Sequence, residues 1–181
     1  QLPLELLPQL LFGSVVYYLT GLRSGWDHML TYVGVLMLEN FAGIGLGMVL
    51  SASFTNVEQA PQVAPLVVIL FLMFSGFFLN QDSIPYLLTP LKHVSFVRYA
   101  FQALAVNELE GNDGFECDRR KFGQMGPPCF QGDDWLRNLK FEDVSIGRNC
   151  GYLLLEIVIF NLLAFRILNA RRPHFLKLKM A

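Results

Sequence analysis

The chain has 181 residues, of which 53% are hydrophobic and 16% charged, and its formal net charge at pH 7 is −1. The mean hydropathy of +0.40 exceeds what a soluble chain of this length needs to fill one core, so the composition favours a membrane protein. The basic residues form no stripe with interleaved aromatic residues, and the balanced charge gives no electrostatic footprint for nucleic acid. Nucleic acid is therefore excluded as a partner.

Stretches that are almost free of charge predict membrane-spanning helices. About twenty apolar residues, rising 1.5 Å each, match a hydrocarbon core of roughly 30 Å. Residues 59–81 contain no charged side chain, whereas the second stretch is interrupted only by Glu39, and the fourth contains Glu156 and stops at Arg166. We expect an all-α polytopic membrane protein with membrane lipids around it. Its four transmembrane helices are predicted at about residues 4–22, 29–53, 62–80 and 149–168.

Basic residues near the ends of the spans predict the orientation of the chain. Lysine and arginine favour the cytosolic side when they lie in short segments close to a span. Residues 169–181 are rich in both, so we expect a cytosolic tail there. Four alternating spans then place residues 81–148 outside or in a lumen, with Arg23 as a mild exception on that side. The charges that decide the orientation are Arg166, Arg171, Arg172, Lys177 and Lys179.

The long segment 81–148 predicts an outer loop with two parts. Residues 84–109 are unusually apolar for a loop, which favours short re-entrant helices that dip into the bilayer while they stay buried in protein. Residues 110–143 are acidic and punctuated by glycine and proline, and we expect a solvent-exposed cap. The chain begins without methionine or a signal peptide, and we expect it to be a piece of a longer protein.

The cysteines agree with this topology. Cys117 and Cys129 both lie in the predicted outer loop, on the oxidising side, where a disulfide between them would stabilise the loop by about 2–3 kcal/mol. The alternatives are two free thiols, or one thiol that pairs with another subunit. Cys150 begins the last span and is predicted to be a small buried apolar residue. The histidines lie in separate segments and no C-x-x-C pair occurs, so we expect no metal site.

Small residues in the second span predict close helix packing. Small side chains let helices approach in lipid, where no hydrophobic force drives them together. A dinucleotide-binding loop is not credible here because no strand precedes the glycines. The small residues are Ala42, Gly43, Gly45, Gly47, Ser51 and Ala52.

Two intramembrane polar residues, Glu39 and Glu156, need an explanation, because a bare charge in a span costs at least about 2.5 kcal/mol. One hypothesis gives them a proton-relay or substrate role, for which only Glu39 lies deep enough to be tempting. The other, which we prefer, is an interhelical hydrogen bond with Asn161 or Asn40 contributing nearby.

The sequence contains no arrangement of residues typical of an enzyme. No Ser/His/Asp or Cys/His grouping can be argued on one side of the membrane, and no carboxylates share a pocket. A G-x-x-x-x-G-K-[ST] phosphate loop does not occur. We therefore expect no catalytic residues, no metal and no cofactor in this chain.

Several sequence patterns together resemble one family, the G subfamily (White/pleiotropic-drug-resistance type) of ATP-binding cassette transporters. Their order and spacing fit over nearly the whole chain. The matching patterns are LP at 2–3, LF at 11–12, YYLTGL at 17–22, SGFFLN at 75–80, IP at 84–85, SFVRYA at 95–100, NE at 107–108, Gly111, and Cys117 with Cys129 ahead of Gly132 and Leu136.

The resemblance implies the C-terminal part of an ABC-2 type transmembrane domain, from the third to the sixth helix of a six-helix half. It further implies a half-transporter that pairs with a second half-transporter, as a homodimer or heterodimer, and exports lipids, sterols or amphipathic xenobiotic compounds. The plasma membrane is the expected location. ATP and Mg would be bound by a nucleotide-binding domain, in cis or in trans, that this chain lacks.

The resemblance also suggests roles for residues of the third span. Helical spacing puts Pro65, Ile69 and Leu72 on one face with Gly76, and in the family the matching face lines the substrate cavity. Phe77 and Phe78 match the family's hydrophobic gate at the outer end of that cavity. The alternative for all of these residues is contact with lipid or ordinary packing.

Two further points stay open at the level of sequence. For Arg98 and Glu108 we prefer an interfacial or capping role over chemistry. For the whole chain, the second hypothesis is a non-transporting multispanning membrane protein, or a truncated relative of the family, with a role in assembly or interaction.

Overall fold

A computed structural model describes residues 2–56, 58–75, 93–112, 132–141 and 143–171, with side chains from residue 6 onward. All regular secondary structure in these ranges is α-helical, as the sequence predicts. The helices are α1 (Leu2–Thr20), α2 (Trp26–Ser53), α3 (Gln59–Met73), α4 (Phe96–Leu109), α5 (Gly132–Leu139) and α6 (Ile146–Ala170).

Two of the described helices, α2 and α6, are long and apolar enough to cross a membrane, judged by length and composition. They have 28 and 25 residues. The apolar parts of α1 and α3 are shorter, at Leu6–Thr20 and Gln59–Met73, and residues 76–80 of the predicted third span lie outside the described ranges. The number of four spans therefore stays a prediction.

The two long helices begin earlier than the sequence predicts. Helix α2 starts at Trp26 rather than near residue 29, and α6 starts at Ile146 rather than near residue 149. The polar residues that suggest hinges in the sequence are tolerated in the first turn of each helix, where backbone N–H groups lack helical partners and Asp27 complements the helix dipole.

Helices α2 and α6 pack side by side and run in the same direction. A Cβ atom on Gly45 would lie 3.0 Å from Cβ of Phe160 in the middle of α6. At the far end of the pair, the Arg171 guanidinium donates a hydrogen bond of 2.6 Å to the carbonyl oxygen of Ser53. Ala42 is fully buried, so the prediction of close packing through small residues is confirmed for Ala42 and Gly45.

Ala52 is also buried, whereas two other glycines of α2 behave differently. Nothing lies within 4 Å of a Cβ built on Gly43 or Gly47. The packing prediction therefore stays open for these two glycines. Small residues at alternate positions of a helix point to different sides of it. The position of the neighbouring helix therefore decides which of these small residues form contacts.

Helix α4 packs across α2 and α6 and runs antiparallel to α6. Its first residue, Phe96, contacts Phe71 of α3 and Phe160 of α6 edge to face, with ring centroids 5.5 Å and 6.5 Å away. Its second turn contacts Tyr152, whose ring centroid lies 5.0 Å from that of Tyr99. Residues from α2, α3, α4 and α6 thus share one hydrophobic core.

A smaller core joins α4 to α5 and to the segment after it. Leu136 and Phe141 are buried against Val106 of α4. Gly132 makes this contact possible, because any Cβ at that position would collide with the carbonyl oxygen of Leu109. The expectation of a solvent-exposed cap is therefore wrong for Gly132, Leu136 and Phe141, which are buried. It is confirmed for Trp135 and Arg137 in the same helix, which are exposed.

Candidate functional site

One face of α3 is apolar and uncovered. Ile69 is 52% exposed, Leu72 is 41% exposed, and Pro65 on the same face is also exposed. These are the three residues that helical spacing places together. No described segment of the chain packs over them.

The opposite face of α3 docks on the core. Phe71 and Phe74 are buried, and Val67 packs against the same core. The carbonyl oxygen of Phe71 accepts a buried hydrogen bond of 3.0 Å from the hydroxyl of Ser95. This contact fixes α3 to the start of α4, so that the uncovered face is held in a constant direction relative to the other helices.

The remaining residues with a predicted role at the outer end of the third span lie outside the described residues. They are Gly76 and the two predicted gate residues, Phe77 and Phe78. The same holds for the predicted disulfide between Cys117 and Cys129. These roles stay predictions, and the described cysteine, Cys150, is a free thiol that is partly buried against the main core.

Glu156 of α6 lies inside the helix bundle, away from the uncovered face of α3. It is 6% exposed, and neither carboxylate oxygen has a hydrogen-bond partner within the described part of the chain. The amide of Asn161 donates instead to the carbonyl oxygen of Ile157 in its own helix. Within the described part of the chain, Glu156 therefore does not form the preferred interhelical hydrogen bond. Glu39 on α2 is partly buried, and its predicted role stays open.

A buried polar contact between α4 and α6 was not anticipated from the sequence. The Asn149 amide donates hydrogen bonds of 3.3 Å to the Tyr99 carbonyl oxygen and to Oε1 of Gln102. Both amide side chains are buried. Nothing in the local sequence links residues so far apart in the chain.

The turn between α1 and α2 is joined to the end of α4 by a second set of polar contacts. Both carboxylate oxygens of Glu108 accept from the backbone N–H of Arg23 at 3.0 Å. The Arg23 guanidinium donates to the carbonyl oxygens of Glu110 and Gly111. Glu108 therefore caps a neighbouring turn, as the preferred interpretation expects of it.

The next helical turn adds to this connection. The Asn107 amide nitrogen donates a 3.0 Å hydrogen bond to the carbonyl oxygen of His28, and Oδ1 of Asn107 lies 3.2 Å from Nδ1 of His28. Arg98 stands apart from this group, ten positions earlier on α4 and roughly 15 Å along the helix axis. Its guanidinium lies 5.8 Å from the ring centroid of Tyr99.

Comparison with known proteins identifies the class of this helical domain. The family described as ABC-2 type transporter matches residues 1–109. The chain is 32% identical over 164 residues to ABC transporter G family member 1 of Dictyostelium discoideum. The aligned region covers 88% of this chain and 20% of that protein. It is 30% identical over 171 residues to protein white of Drosophila melanogaster, covering 94% of this chain and 25% of that protein.

A plant relative matches over a similar region. The chain is 24% identical over 181 residues to ABC transporter G family member 7 of Arabidopsis thaliana, covering 99% of this chain and 24% of that protein. These matches and the helical fold define the class: this chain is a membrane part of a transporter rather than a catalytic domain. The chain belongs to the ABC-2 type transporter family, within the G (White) subfamily. It spans only a fifth to a quarter of the length of these three relatives.

Proposed function

We propose that this chain forms part of the membrane pathway of an ATP-driven exporter of lipids, sterols or amphipathic xenobiotic compounds. The observation that supports this most directly is the uncovered apolar face of α3 with Pro65, Ile69 and Leu72. A cavity with an apolar wall suits cargo that is itself largely apolar. Because the buried face of α3 is docked on the core, the uncovered face can line such a cavity without further rearrangement.

The proposed pathway needs a second half-transporter. Two α3 faces that meet across a dimer axis would enclose a space that one copy leaves open. Phe77 and Phe78 follow α3 directly in the sequence and would close the outer end of that space as an apolar gate. Such a constriction resists water and ions but lets an apolar substrate pass when the helices separate.

ATP and Mg belong to another part of the transporter in this proposal. The sequence has no phosphate loop, and the described residues contain no group of three or more side chains suited to hold a metal ion. We therefore place the nucleotide site outside this chain. A nucleotide-binding domain in the same polypeptide or in a partner would drive the helices.

Four alternating spans with a cytosolic C-terminal tail form the proposed topology, and the plasma membrane is the proposed location. The parallel arrangement of α2 and α6 supports it, since the second and fourth of four alternating spans must point the same way. The basic residues after α6 favour the cytosolic side at that end.

Helix α4 is the proposed re-entrant helix. At its end, Glu108 contacts the α1–α2 turn, and at its start Phe96 contacts the middle of α6. Its 14 residues correspond to about 21 Å of helix, which is shorter than a hydrocarbon core. A helix of this length, surrounded by α2, α3 and α6, can enter the bilayer from the outer side without exposing its backbone to lipid.

Transport by the complete protein tests the proposal. In inside-out vesicles, we expect ATP-dependent uptake of a labelled sterol or amphipathic dye to fall by roughly tenfold when Ile69→Trp places a bulky ring on the uncovered face. Leu70→Trp is the matched control, because Leu70 is also exposed on α3 but is turned about 100° away from Ile69. Uptake by the control should stay near that of the unmodified protein.

Two results would contradict the proposal. Equal uptake by the Ile69→Trp and Leu70→Trp variants would remove the uncovered face of α3 from the pathway. The absence of nucleotide-dependent uptake for any apolar or amphipathic compound, with a complete and folded protein, would favour the hypothesis of a non-transporting membrane protein.

A further inference from the structure

A cavity of about 320 Å³ lies between the end of α1 and the start of α2. It is separate from the uncovered face of α3. Aromatic rings from both helices form part of its wall, and the turn between the helices supplies the rest. The residues that matter here are Tyr17, Tyr18, Ser24, Gly25, Trp26 and Met29.

The aromatic wall of this cavity is held in place by neighbouring contacts. The Tyr17 hydroxyl donates a hydrogen bond to the carbonyl oxygen of Arg23, and the Tyr17 ring packs against Tyr32 with centroids 5.1 Å apart. Tyr18 meets the Tyr17 ring edge to face, and its hydroxyl lies 3.5 Å from the sulfur of Met29. The Tyr17 and Tyr18 rings are therefore pre-positioned by their contacts.

The accessible part of the wall consists of exposed aromatic rings. Tyr18 is 67% exposed and Trp26 is 77% exposed. Two such rings at the junction of apolar helices with a polar turn are typical of the membrane–water boundary, where tyrosine and tryptophan concentrate. A ligand that reaches this cavity therefore comes from the headgroup layer.

The charges around the cavity favour a cation. Among the residues that the structure describes, no lysine or arginine lines it. Arg23, in the turn between α1 and α2, directs its guanidinium to the carbonyl oxygens of Glu110 and Gly111 at the end of α4. The Glu108 carboxylate accepts from the backbone N–H of Arg23 in the turn beside the cavity, and Asp27 occupies the first turn of α2.

We propose that this cavity binds the trimethylammonium headgroup of a phosphatidylcholine lipid. A quaternary ammonium ion is attracted by the faces of tryptophan and tyrosine rings and needs no hydrogen-bond acceptor, which matches a wall of rings, methionine and glycine. The cavity is larger than the ammonium group alone, so the adjoining phosphate and glycerol can remain at its open side. The inference depends on the membrane placement of α1 and α2, but not on transport.

The test measures binding of a short-chain lipid to the complete transporter without nucleotide. Dihexanoylphosphocholine is titrated below its micelle concentration, with dihexanoylphosphoglycerol as the comparison. We expect the phosphocholine compound to bind about threefold to thirtyfold more tightly, the range expected for one or two cation–π contacts. Tyr18→Leu and Trp26→Leu should abolish this preference.

Two further variants keep the test independent of folding. Trp26→Phe retains a ring and should retain most of the preference. Trp135→Leu removes an exposed tryptophan of α5, outside the cavity, and should bind like the unmodified protein.

The proposal would be overturned by equal affinity for the two headgroups, or by leucine variants that keep the preference. In either case the rings would act only as anchors at the membrane boundary. Free choline binding as tightly as the lipid analogue would also overturn it, because the site would then take a soluble cation. Loss of transport with an intact headgroup preference would contradict only the proposed function.

Discussion

The missing side chain of Gly45 sets how closely α2 approaches α6. A Cβ at this position would lie 3.0 Å from Cβ of Phe160, which is shorter than an ordinary van der Waals contact. Gly43, two residues earlier, has open space around it. The two glycines are therefore chemically identical but structurally different.

We expect Gly45→Val to destabilise the folded domain by about 1–3 kcal/mol, because the added methyl groups must displace Phe160 or the whole of α6. Gly43→Val is the control and should have little effect, since its side chain enters open space. Thermal unfolding of the purified protein in one detergent gives the comparison. Equal unfolding midpoints for the two variants would show that Gly45 does not lie at a close helix contact.

Glu156 and Asn149 are a second informative pair, because both are buried polar residues of α6. Asn149 is hydrogen-bonded to Tyr99 and Gln102, whereas the carboxylate oxygens of Glu156 have no partner in the described ranges. Burial of a polar group without a hydrogen bond is unfavourable by about 1–3 kcal/mol.

Glu156→Met is accordingly expected to raise stability by about 1–3 kcal/mol, and Asn149→Leu is expected to lower it by a similar amount, since it leaves the buried Gln102 amide without its partner. Thermal unfolding again provides the measurement. A loss of stability in Glu156→Met would mean that a segment outside the described residues supplies a hydrogen bond to this carboxylate.

Sequence reasoning at the residue scale identified the unusual residues but not their neighbours. The presence of Glu156 in an apolar helix and the cluster of small residues in α2 were both evident from the pattern. Which glycine would meet Phe160 was not, because this depends on the rotation of α2 relative to α6. Helix rotation is set by the packing of all neighbours together, and a single-helix pattern contains little of that information.

At the scale of elements, α5 docks on α4 through a contact that requires glycine. The backbone N–H of Gly132 donates a 3.2 Å hydrogen bond to the carbonyl oxygen of Asn112, and the Leu109 carbonyl occupies the space where a Cβ would stand. Leu136 and Phe141 depend on this approach for their burial.

Replacing Gly132 by alanine should separate α5 from α4 at a cost of about 1–3 kcal/mol. Hydrogen exchange measured by mass spectrometry should then show faster exchange in peptides that cover α5. Gly147→Ala in the first turn of α6 has open space around its Cβ and serves as the control. Unchanged exchange in α5 of the Gly132→Ala variant would contradict the described docking.

The connection between the α1–α2 turn and α4 gives a second prediction for elements. Glu108→Leu removes the acceptor of the Arg23 N–H, and we expect a loss of about 1–3 kcal/mol together with faster exchange in the turn. Glu110→Leu is the matched control, because Arg23 contacts only the backbone carbonyl of Glu110. If both variants behave alike, the carboxylate of Glu108 does not hold the turn.

Most of the helices could be predicted from the sequence, whereas their docking and the helix α5 could not. Apolar runs gave α1, α2, α3 and α6 with small errors at the ends. The apolar character of residues 84–109 indicated short helices in the outer loop, and α4 lies there. Helix α5 and its docking are not predicted, because its sequence, GDDWLRNL, is mostly polar and Leu136 alone gives a weak indication of burial.

For the whole molecule, the proposed topology places the α1–α2 turn outside and the α2–α3 connection in the cytosol. Ser24 and Asn56 lie in these two connections and are both exposed. In otherwise cysteine-free protein on intact cells, we expect an impermeant maleimide to label Ser24→Cys but not Asn56→Cys. Labelling of Asn56→Cys should require permeabilised membranes, and the reverse pattern would invert the topology.

The overall arrangement was predictable to the extent that it follows from chain order. Alternating spans require the second and fourth to run in the same direction, and α2 and α6 do so. Their direct contact does not follow from chain order, nor does the position of α4 between α2, α3 and α6. These features arise from complementary side chains far apart in sequence, such as Phe71, Phe96 and Phe160.

The parallel contact of α2 and α6 has an electrostatic consequence. Peptide dipoles in neighbouring antiparallel helices offset each other, but in a parallel pair they add, so the carbonyl ends of both helices concentrate partial negative charge at one place. Arg171 stands at that place, at the end of α6, with its guanidinium on the terminal carbonyl of α2. One cation thus neutralises two helix termini, which makes this arginine a counter-ion of the bundle itself.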